Sequence, residues 1–517
     1  MKCPRFVRAT LRRRVLAILF CNIIGVAGNA QNLGFGGPIT LREAFDNALL
    51  HNRTLQIEQI NQEIASMRLS SAYAYYDPVF TTRVQREEGS DTGGFDPLNF
   101  SADAIYSTES DVANVGLAGF LPSGLSYTVN GRFVHSWGTR NFLNFDSYKV
   151  DTSVYAEQPL LRNMWIDQPR WQIQVNKQNL KVTELGVQYI VMTVVNQTQL
   201  AYYDLAFEWE NLRIQRQFAN AREELLRGVQ QQVRLGAATS LEAKFASSQA
   251  ALAQTALVNA SNRVSLASNA LRTFMGVSPE NWTQVPLEPA DATLTIPENL
   301  NLSESWRIGL RQRPDLLQLA INVETADLTV RFWKNQLFPT LSLFGSYGLK
   351  GSDAVQAFPP AEPKAQSSLA FRQIENQEAP NSAVGILFSL PLTSRAERAN
   401  YRSSKETKRQ AELLVKQKEE FILREIADAI EQARFNYERA AAARQAVQFS
   451  VETAEAQELL QLRGAGSILL VYEAQEDVAV ARITEAEARR DYNKALSQLY
   501  FTEGSLLDRI QTEIQFK

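Results

Sequence analysis

The chain contains little of the chemistry on which most catalytic and metal sites depend. Among its 517 residues there are only two cysteines and two histidines. Cys3 and Cys21 lie in an N-terminal segment that we expect to be removed, and neither His51 nor His135 belongs to a set with metal-ligand spacing. The sequence also has no nucleophile elbow and no phosphate-binding loop. It therefore argues against an enzyme and predicts no catalytic residue, no metal site and no cofactor.

Long apolar runs are also scarce, apart from one near the N-terminus. Six basic residues precede the apolar run 15–27, which leads to the small-residue site Gly28-Asn29-Ala30. This arrangement is typical of a secretory signal peptide, and we expect cleavage near Ala30, so that residues 1–30 are removed. A membrane anchor would need about 20 apolar residues. Lipid attachment at Cys21 would need a small residue where Phe20 stands, so both alternatives are less favoured.

The expected mature chain is acidic and lacks thiols. Without the six basic residues of the leader, 47 basic and 56 acidic side chains remain, a net charge of −9. This balance argues against a nucleic acid partner. Packing and hydrogen bonds alone would hold such a chain together. No later segment is apolar and long enough for a spanning helix, so any membrane insertion would use strands.

The sequence contains an internal duplication. Residues 234–276 align with residues 462–504 at a shift of 228, which pairs Gly236 with Gly464 and Leu241 with Leu469. Upstream segments repeat at a shift of 261, and there Pro78 aligns with Pro339. Between its two prolines the first copy is 29 residues longer than the second. The duplication predicts two structural repeats, residues 31–299 and residues 300–517.

Each repeat contains a segment whose apolar residues recur with period two. In residues 125–133, for example, apolar side chains alternate with polar ones, which is typical of a strand with one apolar face. We expect strands over about 79–158 and about 339–391, with a turn at Pro122-Ser123-Gly124 and a loop over 351–381. The pattern fits a soluble half-buried sheet as well as a membrane barrel, because the signal of a single barrel strand is weak.

The strand segments lie between helical patterns. Helices are expected over 40–76 and 303–336, and long helical hairpins over about 165–276 and about 393–504, because these stretches have heptad spacing or lack proline. Gly236 and Gly464 mark the hairpin turns. Four prolines make residues 277–299 an expected irregular linker, and a C-terminal tail follows residue 504. The predicted fold class is mixed α and β, mostly α.

The expected strand count is too small for a self-contained membrane barrel. One strand hairpin per repeat gives four strands, and the inserted segment 111–137 adds at most two more. Membrane barrels begin at eight strands, and lipid does not tolerate open sheet edges. If the strands enter a membrane, several copies of the chain must therefore share one barrel.

Several short motifs follow one another along the two repeats. They are Leu41-Arg42-Glu43-Ala44, Arg313-Pro314-Asp315-Leu316, Phe338-Pro339-Thr340-Leu341-Ser342-Leu343, Leu390-Pro391-Leu392 and the paired turns at Gly236 and Gly464. Each is weak alone, but together they resemble the TolC-like outer membrane efflux protein family. The resemblance covers most of the expected mature chain.

The resemblance implies a homotrimer in the outer membrane of a Gram-negative bacterium. Its duplicated helical hairpins would form a periplasmic α-barrel, a tunnel that makes up a large periplasmic portion, and its strands would contribute to a shared transmembrane β-barrel. Such a protein would contact outer membrane lipid and act as the passive exit duct of a tripartite efflux or type I secretion system. It would export small molecules, drugs or polypeptides with a periplasmic adaptor and an inner-membrane pump.

The resemblance also suggests functional positions at the two hairpin turns. Adaptor docking would fall on Leu235, Gly236 and Ala237 and on Arg463, Gly464 and Ala465, although glycines there serve equally as simple helix stops. A periplasmic gate would fall on Leu470, Glu473 and Gly466. Three copies of Glu473 would form an acidic ring at the entrance. Leu470 and Gly466 depart from the acidic and basic residues of other members, and charges on long helices usually face solvent.

The main alternative is a periplasmic coiled-coil adaptor or scaffold. Such a protein would also be exported and rich in heptads. It would have no need for alternating strands placed between helices in both repeats, so the sequence favours the channel.

Overall fold

The computed structural model describes residues 35–92, 105–140, 143–236, 238–278, 280, 282–291, 295–298, 300–463 and 465–515. The expected signal peptide, residues 1–30, lies outside them. The described chain forms two compact units. We call the first the hairpin unit; it contains residues up to Gln56, Ile190–Gly309 and the residues from Glu425. The second, the sheet unit, contains Ile57–Tyr189 and Leu310–Arg424.

Two pairs of long helices dominate the chain. The first pair is α3, Gln168–Arg234, and α4, Ser240–Phe274. The second pair is α8, Arg395–Leu462, and α9, Ile468–Glu503. The predicted class, mixed α and β with duplicated helical hairpins, is confirmed. None of the helices in the described part of the chain has the length and hydropathy needed to cross a bilayer.

The sheet unit contains one six-stranded antiparallel sheet. Its strands are β2 (Val79–Thr92), β3 (Ile105–Phe120), β4 (Ser126–Arg140), β5 (Leu143–Pro159), β7 (Thr340–Ala357) and β8 (Pro380–Ser389). Their order in the sheet is β2-β3-β4-β5-β7-β8. The turn predicted at Pro122-Ser123-Gly124 joins β3 to β4, and Gly124 has φ +88°, a conformation that favours glycine. The longer first repeat thus supplies four of the six strands.

The structure corrects the expected loop over residues 351–381. Strand β7 continues to Ala357, and helix α7 occupies Ser367–Glu375. The helix packs so tightly on β7 that a Cβ added to Gly351 would collide with the carbonyl oxygen of Ala370. The composition of the segment indicated a loop, because a short helix that is stabilised by its contact with the sheet gives little signal in the sequence.

The expected linker over residues 277–299 contains a strand, which is a second correction. Strand β6, Trp282–Pro289, pairs in parallel with β1, Phe35–Ile39. Its prolines suggested irregular structure, but proline is tolerated on edge strands, and a two-stranded sheet has only edges. Ile39 and Leu287 of these strands are buried beside Tyr202 in the core of the hairpin unit.

The two shorter predicted helices are each interrupted at the same position of the repeat. Asn52 separates α1, Leu41–His51, from α2, Arg53–Tyr73, and Arg313 separates α5, Leu302–Gln312, from α6, Pro314–Gln336. Both residues are extended, with ψ 120° and 118°. Pro314 disfavours the helical conformation of Arg313. The Asn52 side chain instead accepts the N–H groups of Thr54 and Leu55, which starts a new helix.

The predicted C-terminal tail also contains a helix. Helix α10, Leu506–Gln515, follows Gly504, which ends α9 in the left-handed conformation. Leu506 is buried against Phe45 and Val195. The helix therefore forms because its apolar side packs on the hairpin unit.

Candidate functional site

One face of the six-stranded sheet is apolar and exposed. Directly paired residues of neighbouring strands share a face, so the register assigns each side chain to one side. Val84 is 79% exposed and Val384 is 82% exposed. The same face carries further exposed apolar side chains: Phe80, Val115, Leu117, Val129, Val154, Leu343, Tyr347, Ile386 and Phe388. Contiguous exposed apolar surface of this kind marks a contact with lipid or with another chain.

The apolar band has a defined height along the strands. On β7 it runs from Leu341, which pairs with Phe388, to Gly351, which pairs with Val150. Ten residue steps correspond to about 33 Å of strand. The band ends where charged residues begin on the same face.

Charged and aromatic side chains form the end of this face beyond the band. Arg86 makes an ion pair with Glu109, with 3.0 Å between its Nη2 and Oε2. His135 lies between Trp137 and Tyr148 and contacts Asp146, with 2.8 Å between Nε2 and Oδ1. The second oxygen of Asp146 accepts the N–H of Ala365, just before α7. These contacts attach the α7 segment to the sheet.

The opposite face of the sheet is polar. One cross-strand row contains Arg83, Asn114, Arg132, Asp151 and Lys350. The next row toward the charged end contains Lys149, opposite Val134. The sheet therefore has one mainly apolar face and one mainly polar face.

The first hairpin turn joins α3 to α4. Gly236 has φ +78°, and Leu235 is 76% exposed. Thr239 starts α4 with a capping box: Glu242 accepts the Thr239 backbone N–H at 2.6 Å, and the Thr239 hydroxyl accepts the Glu242 N–H. The hydrogen bond from the Thr239 backbone lowers the pKa of Glu242. Glu242, which aligns with Leu470 in the duplication, therefore serves as a helix cap.

The second turn joins α8 to α9 and uses a different cap. Ser467 occupies the position of Thr239, and its hydroxyl accepts the Leu469 N–H at 3.3 Å. A Cβ added to Gly466 would lie 2.8 Å from the backbone nitrogen of Gln461, so this position requires glycine. Arg463 and Ala465 are exposed. Gly464 and Ala237, two of the predicted docking positions, lie outside the described residues.

The predicted gate residues Leu470 and Glu473 are both exposed on the first turns of α9. They are three residues apart and therefore lie on one side of the helix. Asp477, four residues beyond Glu473, is exposed on the same side and was not identified from the sequence. Its spacing of four residues from Glu473 was the sequence signal that could have identified it. Gly466 precedes the helix and shapes the turn.

Leu241 is a second residue that the sequence reasoning left unassigned. It is 74% exposed at the start of α4, and its repeat partner Leu469 is exposed at the start of α9. The duplication places a leucine at both positions, and this match could have identified them from the sequence. Both turns thus present an exposed leucine in the same place.

A buried arginine connects the two hairpins near their turns. Arg222 of α3 is 0% exposed, and its Nη2 donates to the carbonyl oxygen of Tyr472 in α9 at 2.6 Å. Its guanidinium lies 4.5 Å from the centre of the Tyr472 ring and 4.6 Å from that of Phe218. Burial lowers the pKa of Arg222. Nε and Nη1 have no hydrogen-bond partner among the described residues.

Tyr472 also contacts the partner helix of the first hairpin. Phe245 of α4 packs edge-on against its ring at 5.6 Å. Val229, Ala246 and Tyr472 form a small buried cluster beside the turns. Tyr472 of α9 therefore packs against both helices of the first hairpin, α3 and α4, beside the hairpin turn.

Comparison with known proteins identifies the fold. No curated protein matches the chain. A membrane protein from Pseudomonas aeruginosa is similar, with 17% identity, a TM-score of 0.64 and 92% of each chain covered. The outer membrane protein VceC from Vibrio cholerae has 16% identity and a TM-score of 0.62 over 90% of this chain and 96% of VceC. The MtrE outer membrane channel of Neisseria gonorrhoeae has 16% identity and a TM-score of 0.61 over 90% of this chain and 89% of MtrE.

The second repeat also carries a family signature. Residues 309–505 match the family described as Outer membrane efflux protein, and this range includes the Arg313-Pro314-Asp315-Leu316 and Phe338–Leu343 motifs. The chain thus has the fold of solved outer-membrane channels, and its predicted resemblance to the outer membrane efflux protein family is confirmed.

Proposed function

We propose that this chain is an outer membrane channel that acts as the passive exit duct of a tripartite efflux or type I secretion system. The fold and the family match are those of channel proteins rather than enzymes. The observation that carries the proposal is the two-faced sheet. At a strand tilt of about 40°, the 33 Å apolar band spans about 25 Å, the height of the apolar band of outer-membrane barrels.

The sheet edges support assembly of several copies. Strands β2 and β8 form the two edges, and all neighbours between them are antiparallel. With six strands, β2 and β8 run in opposite directions, so β8 of one copy can pair antiparallel with β2 of the next. Lipid does not tolerate open edges, which favours a closed ring. We propose a homotrimer, as the family resemblance implies.

The strand count sets the size of the proposed pore. Three copies supply 18 strands, and at 4.8 Å spacing and a tilt of about 40° these form a barrel about 36 Å across. A ring with four strands from each copy would be only about 24 Å across. Barrels of 16–18 strands leave an aqueous channel. The inserted β3–β4 hairpin therefore widens the proposed exit.

The helical hairpins would form the periplasmic tunnel, with their turns at its entrance. We propose that the exposed turn residues Leu235, Gly236, Arg463 and Ala465, together with Leu241 and Leu469, contact a periplasmic adaptor, which in turn binds an inner-membrane pump. Ala237 and Gly464 complete the same turns in the sequence. Exposed apolar side chains of this kind are typical of protein contact sites.

We further propose that Glu473 narrows the entrance as an acidic ring, with Asp477 behind it. Leu470 and the glycine turn at Gly466 would determine how closely the α9 helices of the three copies approach one another at the entrance. Glu473→Gln in purified protein should raise single-channel conductance in planar bilayers and weaken block by divalent cations. The matched control is Glu455→Gln, an exposed position on α8. An unchanged cation response in Glu473→Gln would remove this residue from the gate.

Cell fractionation tests the proposed location, and bilayer recording tests the activity. The channel hypothesis expects a detergent-extracted oligomer in outer membrane fractions that conducts ions. Recovery as a soluble periplasmic monomer without conductance would favour the coiled-coil adaptor or scaffold.

Docking has its own test. Leu241→Glu should reduce crosslinking to the adaptor in cells, because it places a charge in the proposed contact. Leu266→Glu, at another exposed leucine of α4 farther from the turn, should leave crosslinking unchanged. Equal crosslinking of both variants would remove Leu241 from the docking surface.

A further inference from the structure

The polar face of the sheet carries an excess of positive charge in one narrow zone. Four basic side chains lie in two adjacent cross-strand rows, and we call them the basic belt: Arg83, Arg132, Lys149 and Lys350. All four are exposed. Asp151 is the one acidic residue in these rows, so each copy carries a net charge of +3 there. Glu87 and Glu157 lie on the same face nearer the strand ends.

The basic belt is not neutralised by ion pairs. Asp151 lies directly across from both Arg132 and Lys350, yet none of the four basic residues makes an ion pair within the described part of the chain. Arg86 shows the contrast. It lies on the same strand as Arg83 but on the opposite face, and it pairs with Glu88, Glu109 and Asp111. Charge is therefore compensated on one face and left free on the other.

The basic belt also borders a hollow in the sheet surface. The hollow has a volume of about 580 Å³, and its lining includes Arg132, Lys350, Asn114, Asn130 and Asn381. Amide groups and exposed cations together provide hydrogen-bond donors for an anion. The lining also includes Asp151, so the charge there remains positive overall.

We propose that the basic belt makes the membrane part of the pore selective for anionic solutes. This inference rests on the proposed function, in which the polar face lines the lumen. Lys350 adjoins Gly351, where the apolar band ends, so the belt lies near one end of the band. Three copies would form a ring with a net charge of +9. A ring of one sign concentrates counter-ions and repels co-ions, which favours anionic cargo.

The size of the barrel determines how salt affects this selectivity. In a barrel about 36 Å across, the axis lies about 18 Å from the wall. The Debye length is about 3 Å at 1 M salt and about 30 Å at 0.01 M. The field of the basic belt therefore reaches the axis only in dilute salt. Selectivity for anions should be strong near 0.01 M and weak near 1 M.

The test measures the reversal potential of the purified oligomer in planar bilayers under a KCl gradient at low salt. The acidic entrance lowers the chloride-to-potassium permeability ratio equally in every variant, so the belt is measured by the difference from wild type. A variant with all four basic residues changed to Gln should have a clearly lower ratio than the wild-type protein. Arg86→Gln is the matched control, because it removes a charge from the other face, and it should retain the wild-type ratio. All three proteins keep the same acidic entrance, so differences between them arise at the sheet.

The outcomes separate the two proposals. Absence of conductance from the wild-type protein would overturn the proposed function itself. A conducting wild-type channel whose permeability ratio is unchanged in the Gln variant, or is changed equally by Arg86→Gln, would overturn the basic belt alone. If the Gln variant fails to assemble, Lys350→Glu is measured instead. It should lower the ratio, and an unchanged ratio would again overturn the belt.

Discussion

The two faces of the sheet can be tested with two adjacent residues of β5. Val154 points to the apolar face and pairs with Val129 and Tyr347, near the middle of the 33 Å band. Ser153 points to the polar face and pairs with Asn130 and Gly348. Val154→Arg would place a charge at the bilayer midplane, which costs about 2–4 kcal/mol in outer-membrane barrels. Three copies would lose about 6–12 kcal/mol per trimer.

The matched variant Ser153→Arg adds the same side chain to the lumen, where water solvates it. We expect Val154→Arg to abolish or strongly reduce the heat-sensitive oligomer in outer membrane fractions, whereas Ser153→Arg should assemble normally. Gel electrophoresis with and without heating, together with the yield from the membrane fraction, measures both effects. Equal assembly of the two variants would refute the assignment of the apolar face to lipid.

Two further predictions concern stability in the helices. Burial alone raises the pKa of Asp315, but hydrogen bonds from Arg313 and Lys418 outweigh it and lower the pKa to about 2. The ion pairs of Asp315 therefore stabilise the protein at pH values above 3.8, the ordinary pKa of the group, and this stability is lost as the pH falls toward 2. Asp315→Asn should lower the free energy of unfolding in urea by about 2 kcal/mol at pH 7 and by almost nothing at pH 2. An equal cost at both pH values would contradict the role of the ion pairs. Arg222→Ala should destabilise the protein by about 3 kcal/mol because it leaves a cavity beside Tyr472, whereas Arg222→Met fills the space, removes a buried charge and should cost less than half as much. Thermal unfolding of both variants measures the difference, and a neutral Arg222→Ala would contradict the packing role.

Much of the fold was predictable because the sequence patterns have local causes. Alternation such as that of residues 125–133 follows directly from a strand with one apolar face, and the structure assigns residues 126–133 to β4. The long proline-free segments, the first of them with heptad spacing, form α3, α4, α8 and α9, because no proline interrupts a helix there. The turn residue Gly236 was also identified from the sequence, whereas Gly466 was assigned to the gate, and the structure shows why it admits no side chain.

The remaining features depend on tertiary contacts. Strand β6 pairs with β1, which is distant in sequence, and helix α7 lies against Gly351 of β7. Neither contact leaves a periodic pattern. Asp477 and Leu241 could be assigned to the candidate site only from their exposure, which they share with Glu473 and Leu469. The basic belt likewise required the strand register, because its four residues come from β2, β4, β5 and β7.

Cryo-electron microscopy of the detergent-extracted, full-length protein tests the central claim most directly. The account predicts a closed ring of three copies with 18 strands, in which β8 of each copy is hydrogen-bonded to β2 of the next. A single copy, or an assembly in which β2 and β8 remain unpaired, would contradict it.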